Sequence, residues 1–236
     1  MARHVLLCLL CLLTCIPGGM LLTNEELARV TEYIKKEMTD GHLNFQHAYA
    51  VKFTLGECRR LSPEVIKQAL SQEDIESLRD TVYKFGVYNG PRMVAASYSD
   101  SQVSQPTLHA EYRLLHGEGN VSPIQNLMNK APEAGCVVFF SLYSPCLSRC
   151  VNIENDFNII KELSVFDNVN EAQRAFVFRN IYSDDKKRPD NEIVDGWRSL
   201  NERMTLFNCK NGNCDRCFIR PVGGKESLVV RKCLHP

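Results

Sequence analysis

The sequence predicts an α/β fold, and three features carry that expectation. Cys136 to Leu142 is apolar on consecutive positions except Ser141, the pattern of a central strand covered on both faces. Beyond it, Ala175 to Tyr182 and Thr205 to Asn208 read as further strands with a helix between them, and that order implies a parallel crossover. The chain left after its leader, roughly 210 residues, is long enough to bury an ample core as one domain.

Met1 to Met20 read as a secretory signal peptide. Arg3 supplies the positive end, Val5 to Ile16 form a short and mostly apolar core, and Pro17-Gly18-Gly19 breaks the helix near a small-residue cleavage site. That run is too short to span a bilayer of about 30 Å, and no later stretch resembles a membrane helix, so a membrane partner is not expected. The sequence divides into this leader (1–20), an N-terminal helical extension (21–44), a main domain (45–207) and a cysteine-rich basic tail (208–236).

Thr23-Asn24-Glu25-Glu26 forms a capping box, and Leu27, Val30, Ile34 and Met38 then share one face of a helix ending near Gly41. Residues 47–54 read as the first strand. Ser62-Pro63 opens a helix with Val65, Ile66, Ala69 and Leu70 as its apolar face, and a second helical segment runs from Ser71 toward Arg79. Residues 82–88 read as a strand ending at Asn89-Gly90, a strong hairpin signal, with Met93 to Tyr98 beyond it. The opening hairpin is either 47–54 with 82–88 or 82–88 with 92–98. A helix starts at Glu111, and residues 151–164 alternate at helical spacing with Ile153, Phe157, Ile160 and Leu163 inward. Asp184 to Pro189 is a charged loop, and Glu192 to Arg203 a helix. Asn120-Val121-Ser122 is a glycosylation sequon.

The whole chain is formally neutral and falls to about −1 once Arg3 leaves with the leader, which gives no general argument for nucleic-acid binding. The tail from Asn208 is different, with six Lys or Arg against two acidic residues. It reads as a pinned, solvated cap or as a phosphate-tracking surface. Beyond the leader stand Cys58, Cys136, Cys146, Cys150, Cys209, Cys214, Cys217 and Cys233. Setting Cys146 and Cys150 aside leaves six, an even set for disulfides in an oxidising compartment, with the pairing open. The last four could instead hold a structural zinc; secretion favours disulfides.

The chemistry concentrates between Thr107 and Cys150. His109-Ala110-Glu111 precedes Ser144-Pro145-Cys146-Leu147-Ser148-Arg149-Cys150. One imidazole and two thiolates suit Zn2+, and three protein ligands leave the fourth position open, as in a catalytic site. Glu111 is not needed as a ligand and is free to move protons. His-x-Glu followed by Pro-Cys and a second Cys is the signature of zinc nucleobase deaminases, here with three residues between the cysteines where the common pattern has two. If Cys146 and Cys150 were instead a disulfide, His109 would be an ordinary surface histidine.

On these motifs the chain resembles the cytidine deaminase superfamily, in its AID/APOBEC-like branch, and with its leader it is similar to the secreted members of that branch. The resemblance covers roughly residues 45–207. It implies a three-layer α-β-α cytidine deaminase-like fold around a five-stranded mixed sheet. It implies one catalytic zinc on His109, Cys146 and Cys150, with Glu111 as the proton-moving residue. Ser141-Leu142-Tyr143-Ser144-Pro145-Cys146 is similar to the branch's S-W-S-P-C, with Tyr143 in the place of the tryptophan and the Ser144 main chain reading the exocyclic amine. Phe178-Arg179-Asn180-Ile181-Tyr182 is similar to A-R-L-Y, which sets Tyr182 edge-on to a flipped base. Ala110 joins Tyr143, Ser144 and Tyr182 as a substrate contact, and the Asp184–Pro189 loop would read the neighbouring nucleotide. The implied reaction turns cytosine into uracil. The substrate is single-stranded nucleic acid or, as the alternative, a free cytosine nucleoside or nucleotide. A catalytically silent, zinc-stabilised binding protein is the reading from a different class, and Glu111 argues against it. No protein partner can be inferred.

Overall fold

One seven-stranded sheet carries the fold, and apolar clusters pack on both its faces. A computed structural model describes residues 22–38, 45–99, 106–117, 121–219 and 228–236. The leader and Asn120 lie outside them. Among the described residues no helix is long and apolar enough to cross a membrane.

The capping box forms as expected. The Thr23 hydroxyl accepts from Glu26 N–H, Glu26 reaches back to Thr23 N–H, and helix α1 (Asn24–Tyr33) follows, continuing through a wider turn to Met38. Leu27, Val30 and Ile34 are fully buried along one face of it. Strand β1 (His47–Phe53) is buried at every position. The short helix α2 (Leu55–Cys58) and helix α3 (Pro63–Ala69) come next, capped by Thr54 and Ser62.

The region after α3 departs from expectation. Helix α4 spans Ile75–Tyr83, capped by Asp74, so the strand expected over 82–88 shrinks to β2 (Val87–Asn89). Leu78 and Val82, one turn apart, are both buried, and helical spacing wins there over strand alternation. Phe85, at φ 58°, closes the helix. Strand β3 (Met93–Ser97) pairs antiparallel with both β2 and β1, which settles the open hairpin in favour of 87–89 with 93–97.

Helices α5 (Ala110–Leu115) and α6 (Pro123–Asn129) lead to the central strand β4 (Cys136–Tyr143). Its side chains alternate between faces: Val137 and Phe139 join one cluster, Cys136, Val138 and Phe140 the other. Strand β5 (Arg174–Asn180) runs parallel to β4. Helix α7 (Asp190–Arg203) then returns the chain to β6 (Thr205–Lys210), parallel to β5, as the crossover reading expects.

The helix expected over 151–164 does not form. The segment is a run of turns ending in a short 3₁₀ stretch, Glu162–Phe166; Ile153 is exposed and Phe157 half-buried, while Ile160 and Leu163 are buried as expected. Asparagines explain the change. Asn152 Oδ1 accepts from Glu154 N–H, and Asn155 Oδ1 accepts from Phe157 N–H, so side chains take the donors that a helix needs.

The sheet order is β2-β3-β1-β4-β5-β6, closed by β7 (Asn213–Arg216), so it holds seven strands rather than five. The two additions are short edge strands: β2 at one end, and β7 folded back on β6 at the other. The tail ends in a small ladder of β8 (Phe218–Ile219) and β9 (Leu228–Val229), then a single turn, α8 (Arg231–Leu234). The six remaining cysteines pair as Cys58–Cys136, Cys209–Cys214 and Cys217–Cys233, which rules out a zinc site in the tail.

Candidate active site

His109 is the residue before α5, with extended backbone (φ −71°, ψ 150°) and no capping bond from its side chain. Its ring is free to turn toward the loop after β4. Cys146 and Cys150 stand there four residues apart on a tight turn, which brings both sulfurs to one side. His109 Nδ1 lies 3.6 Å from Cys146 Sγ and 3.5 Å from Cys150 Sγ, and the two sulfurs are 3.5 Å apart. A tetrahedral zinc with Zn–S near 2.3 Å and Zn–N near 2.0 Å separates such donors by about 3.5–3.8 Å. The donor set therefore fits zinc in chemistry and in spacing. A disulfide would need about 2.05 Å, so that alternative falls. The Cys150 thiol, donating to Cys146, holds Cys146 well below the usual thiol range, and His109 adds to this. Thiolate is the form that binds metal. Among the described residues this is the one His/Cys/Asp/Glu cluster of metal-site geometry.

Three side chains pin the turn from three directions. Trp197 Nε1 donates to Pro145 O at 3.3 Å, Leu147 N–H donates to Asp185 Oδ2 at 3.0 Å, and Arg149 Nη1 donates to Thr107 O at 3.0 Å. Gly196 of α7 faces this turn, and a Cβ there would sit 2.3 Å from Leu147 Cδ2, so the end of that side chain would have to turn aside. Asp185 is buried in the Asp184–Pro189 loop, and that burial pushes its carboxyl up to about 6.

Glu111, in the first turn of α5, is 2% exposed. Burial raises its carboxyl, opposed by the His109 charge and by a hydrogen bond from Ser141. Ser141 Oγ donates to Oε1 at 2.6 Å and Gln46 Nε2 donates to Oε2 at 2.6 Å. Gln46 Oε1 also accepts from Ala110 N–H at 3.1 Å. Tyr182 stands with its ring 5.9 Å from that of His109 and 6.5 Å, edge-on, from that of Tyr143. Ser144 joins the ends of β4 and β5: its N–H donates to Asn180 O at 2.7 Å and its hydroxyl accepts from Tyr182 N–H at 3.0 Å. Ala110 and Tyr182 thus pack in the same apolar cluster as Cys146 and Cys150, Ser144 bonds to Tyr182, and Tyr143 meets this group only through Tyr182 while packing on the opposite cluster.

The comparisons point the same way. A family model described as Secreted Novel AID/APOBEC-like Deaminase 2 matches residues 27–228. The chain belongs to that family. No curated protein and no solved structure matches it. The match to this secreted deaminase family runs past the 45–207 span legible from the motifs, taking in most of α1 and much of the tail.

Gln46, Trp197 and Arg149 are the site residues that sequence reasoning did not single out. Trp197 carried one signal, as the only tryptophan of the chain. Gln46 carried none, because it lies 65 positions from the carboxylate it touches.

Proposed function

We propose that this member of the deaminase family is a secreted zinc-dependent hydrolase that converts cytosine to uracil in single-stranded nucleic acid. The observation that carries the reading is a buried carboxylate, Glu111, beside a His109/Cys146/Cys150 cluster with zinc spacing. His109, Cys146 and Cys150 would hold a zinc ion, and the chemistry it would supply is an acidified water as nucleophile near neutral pH. Glu111 would accept the proton that water gives up and pass it to N3 of the pyrimidine, then take the proton of the new C4 hydroxyl and deliver it to the leaving amine. Cytosine and water become uracil and ammonia. The Ser141 hydroxyl and the walls around Glu111 orient the carboxylate and keep bulk water away from it. Tyr182 packs against the base, Tyr143 borders it, and Ala110 and Ser144 offer main-chain contacts.

A polynucleotide substrate is favoured by exposed Lys186 and Lys187, which follow Tyr182 closely in the chain and supply cations, while Arg188 is paired with Asp185 and Glu192. Secretion is supported by three disulfides, which persist in an oxidising compartment. The test compares purified protein and Glu111→Gln on cytosine-bearing DNA and RNA oligonucleotides and on cytidine. The expected result is uracil from the unaltered protein on oligonucleotides, and none from the variant at equal zinc content. Turnover of cytidine alone would move the substrate to free nucleosides. Equal inactivity of both proteins on every substrate would overturn the enzymatic reading.

A further inference from the structure

Gln46 sits just before β1, half-buried, and its carboxamide is held at both ends. Its Nε2 donates to the carboxylate of Glu111 and its Oε1 accepts from Ala110 N–H. The partners fix the orientation of the amide, because a backbone N–H can only donate and an ionised carboxylate can only accept. Two adjacent groups of the site are thus joined through one N–C=O unit.

That unit has a chemical counterpart. The N3–H and C2=O of uracil form the same arrangement, a donor and an acceptor on one carbon, pointing to the same side. In the proposed reaction Glu111 handles the proton at N3; of the two ring neighbours of N3, C4 is the reacting carbon and C2 carries a carbonyl that requires a donor. Ala110 N–H, on the residue next to Glu111, is placed to supply it. We infer that the Gln46 carboxamide stands in for the pyrimidine edge in the free protein and must swing out before a base enters. This rests on the deaminase reading and goes further, naming a residue of this chain that competes with the base for the same two contacts.

The consequence is a cost on binding. A ligand that needs a conformer present at fraction f has its apparent dissociation constant raised by 1/f, and removing the competitor restores the lost affinity. A residue that merely braced Glu111 would behave in the opposite way, its loss lowering kcat and leaving product affinity untouched.

The experiment titrates uridine, which the site binds as product without turnover, into zinc-loaded protein, Gln46→Ala and Gln46→Met, following dissociation constants by equilibrium dialysis. Gln46→Met keeps the bulk and removes both hydrogen bonds, and it serves if the alanine variant folds poorly. Uridine is expected to bind the variants roughly tenfold more tightly, with KM for a cytosine oligonucleotide falling in step. Equal or weaker uridine binding in both variants at full zinc occupancy overturns the inference, as does a fall in kcat at unchanged uridine affinity. Absence of uridine binding in all three proteins at millimolar concentration also overturns it. Tighter uridine binding by the variants in a protein that deaminates nothing would uphold the base mimicry and sink the enzymatic reading alone.

Discussion

Replacing Cys58 and Cys136 together by alanine removes the bridge that ties α2 to the start of β4. The two residues are 78 positions apart, against 16 for Cys217–Cys233 and 5 for Cys209–Cys214. A crosslink restricts the unfolded chain more as the loop it closes grows. Loop-closure entropy assigns about 4.5 kcal/mol to the first bridge, about 3 to the second and about 2 to the third. Both thiols of the first bridge are buried, so the alanine pair also leaves unfilled space that adds to the loss. Against a whole-domain stability of about 5–15 kcal/mol this is a large fraction. Urea unfolding of the three double-alanine variants, followed by circular dichroism at neutral pH, reads the ranking directly. The expected order of midpoints places the Cys58/Cys136 variant lowest and the Cys209/Cys214 variant highest. A reversal of those two would refute loop closure as the source of the stabilisation.

Three further outcomes are expected. Trp197→Phe deletes the donor to Pro145 O within a fully buried contact; it should weaken zinc retention against a chelator by about tenfold, the lower end for partners that orient a metal site, with unchanged retention counting against that support. His47 is held neutral by burial, its ring pushed down from 6.5 to about 4 despite the hydrogen bond to Phe45 O and with Arg179 nearby. A depressed base stabilises the fold above its unfolded value and loses that contribution as pH falls, so urea titrations should show about 2 kcal/mol lost by pH 5 and about 3 by pH 4, a slope absent from His47→Phe. Lys52, fully buried, donates to Leu127 O at 2.6 Å and also to Lys130 O at the end of α6. Lys52→Met should leave those two carbonyls unpaired and lower stability by about 2–3 kcal/mol in thermal melts; an unchanged midpoint would show that water replaces the ammonium.

The metal centre was legible because its signal is chemical and local. His109 and Glu111 are two residues apart, Cys146 and Cys150 four, and an imidazole with two cysteines in that order is the donor set of a metal. The central strand was legible for a similar reason, since a run from Cys136 to Leu142 that is apolar everywhere but at Ser141 can be buried only between two layers. The misread segments are those where two short-range patterns compete. Residues 82–86 suit a strand or the end of a helix, and burial of Leu78 with Val82 decides for the helix. Ile153 and Phe157 have helical spacing, but the side chains of Asn152 and Asn155 accept from backbone N–H groups two residues on instead.

By itself the sequence determined the α/β class, the leader pattern, the capping of α1 and the residues able to hold a metal. Each depends on side chains a few positions apart, whose chemistry holds in any fold. Tertiary structure alone decided that Cys58 pairs with Cys136 and that Gln46 meets Glu111. Those two contacts join positions 78 and 65 residues apart, and such a contact forms only where the packed sheet and its two covering layers bring the ends together, because nothing local offsets the entropy of closing the loop between them.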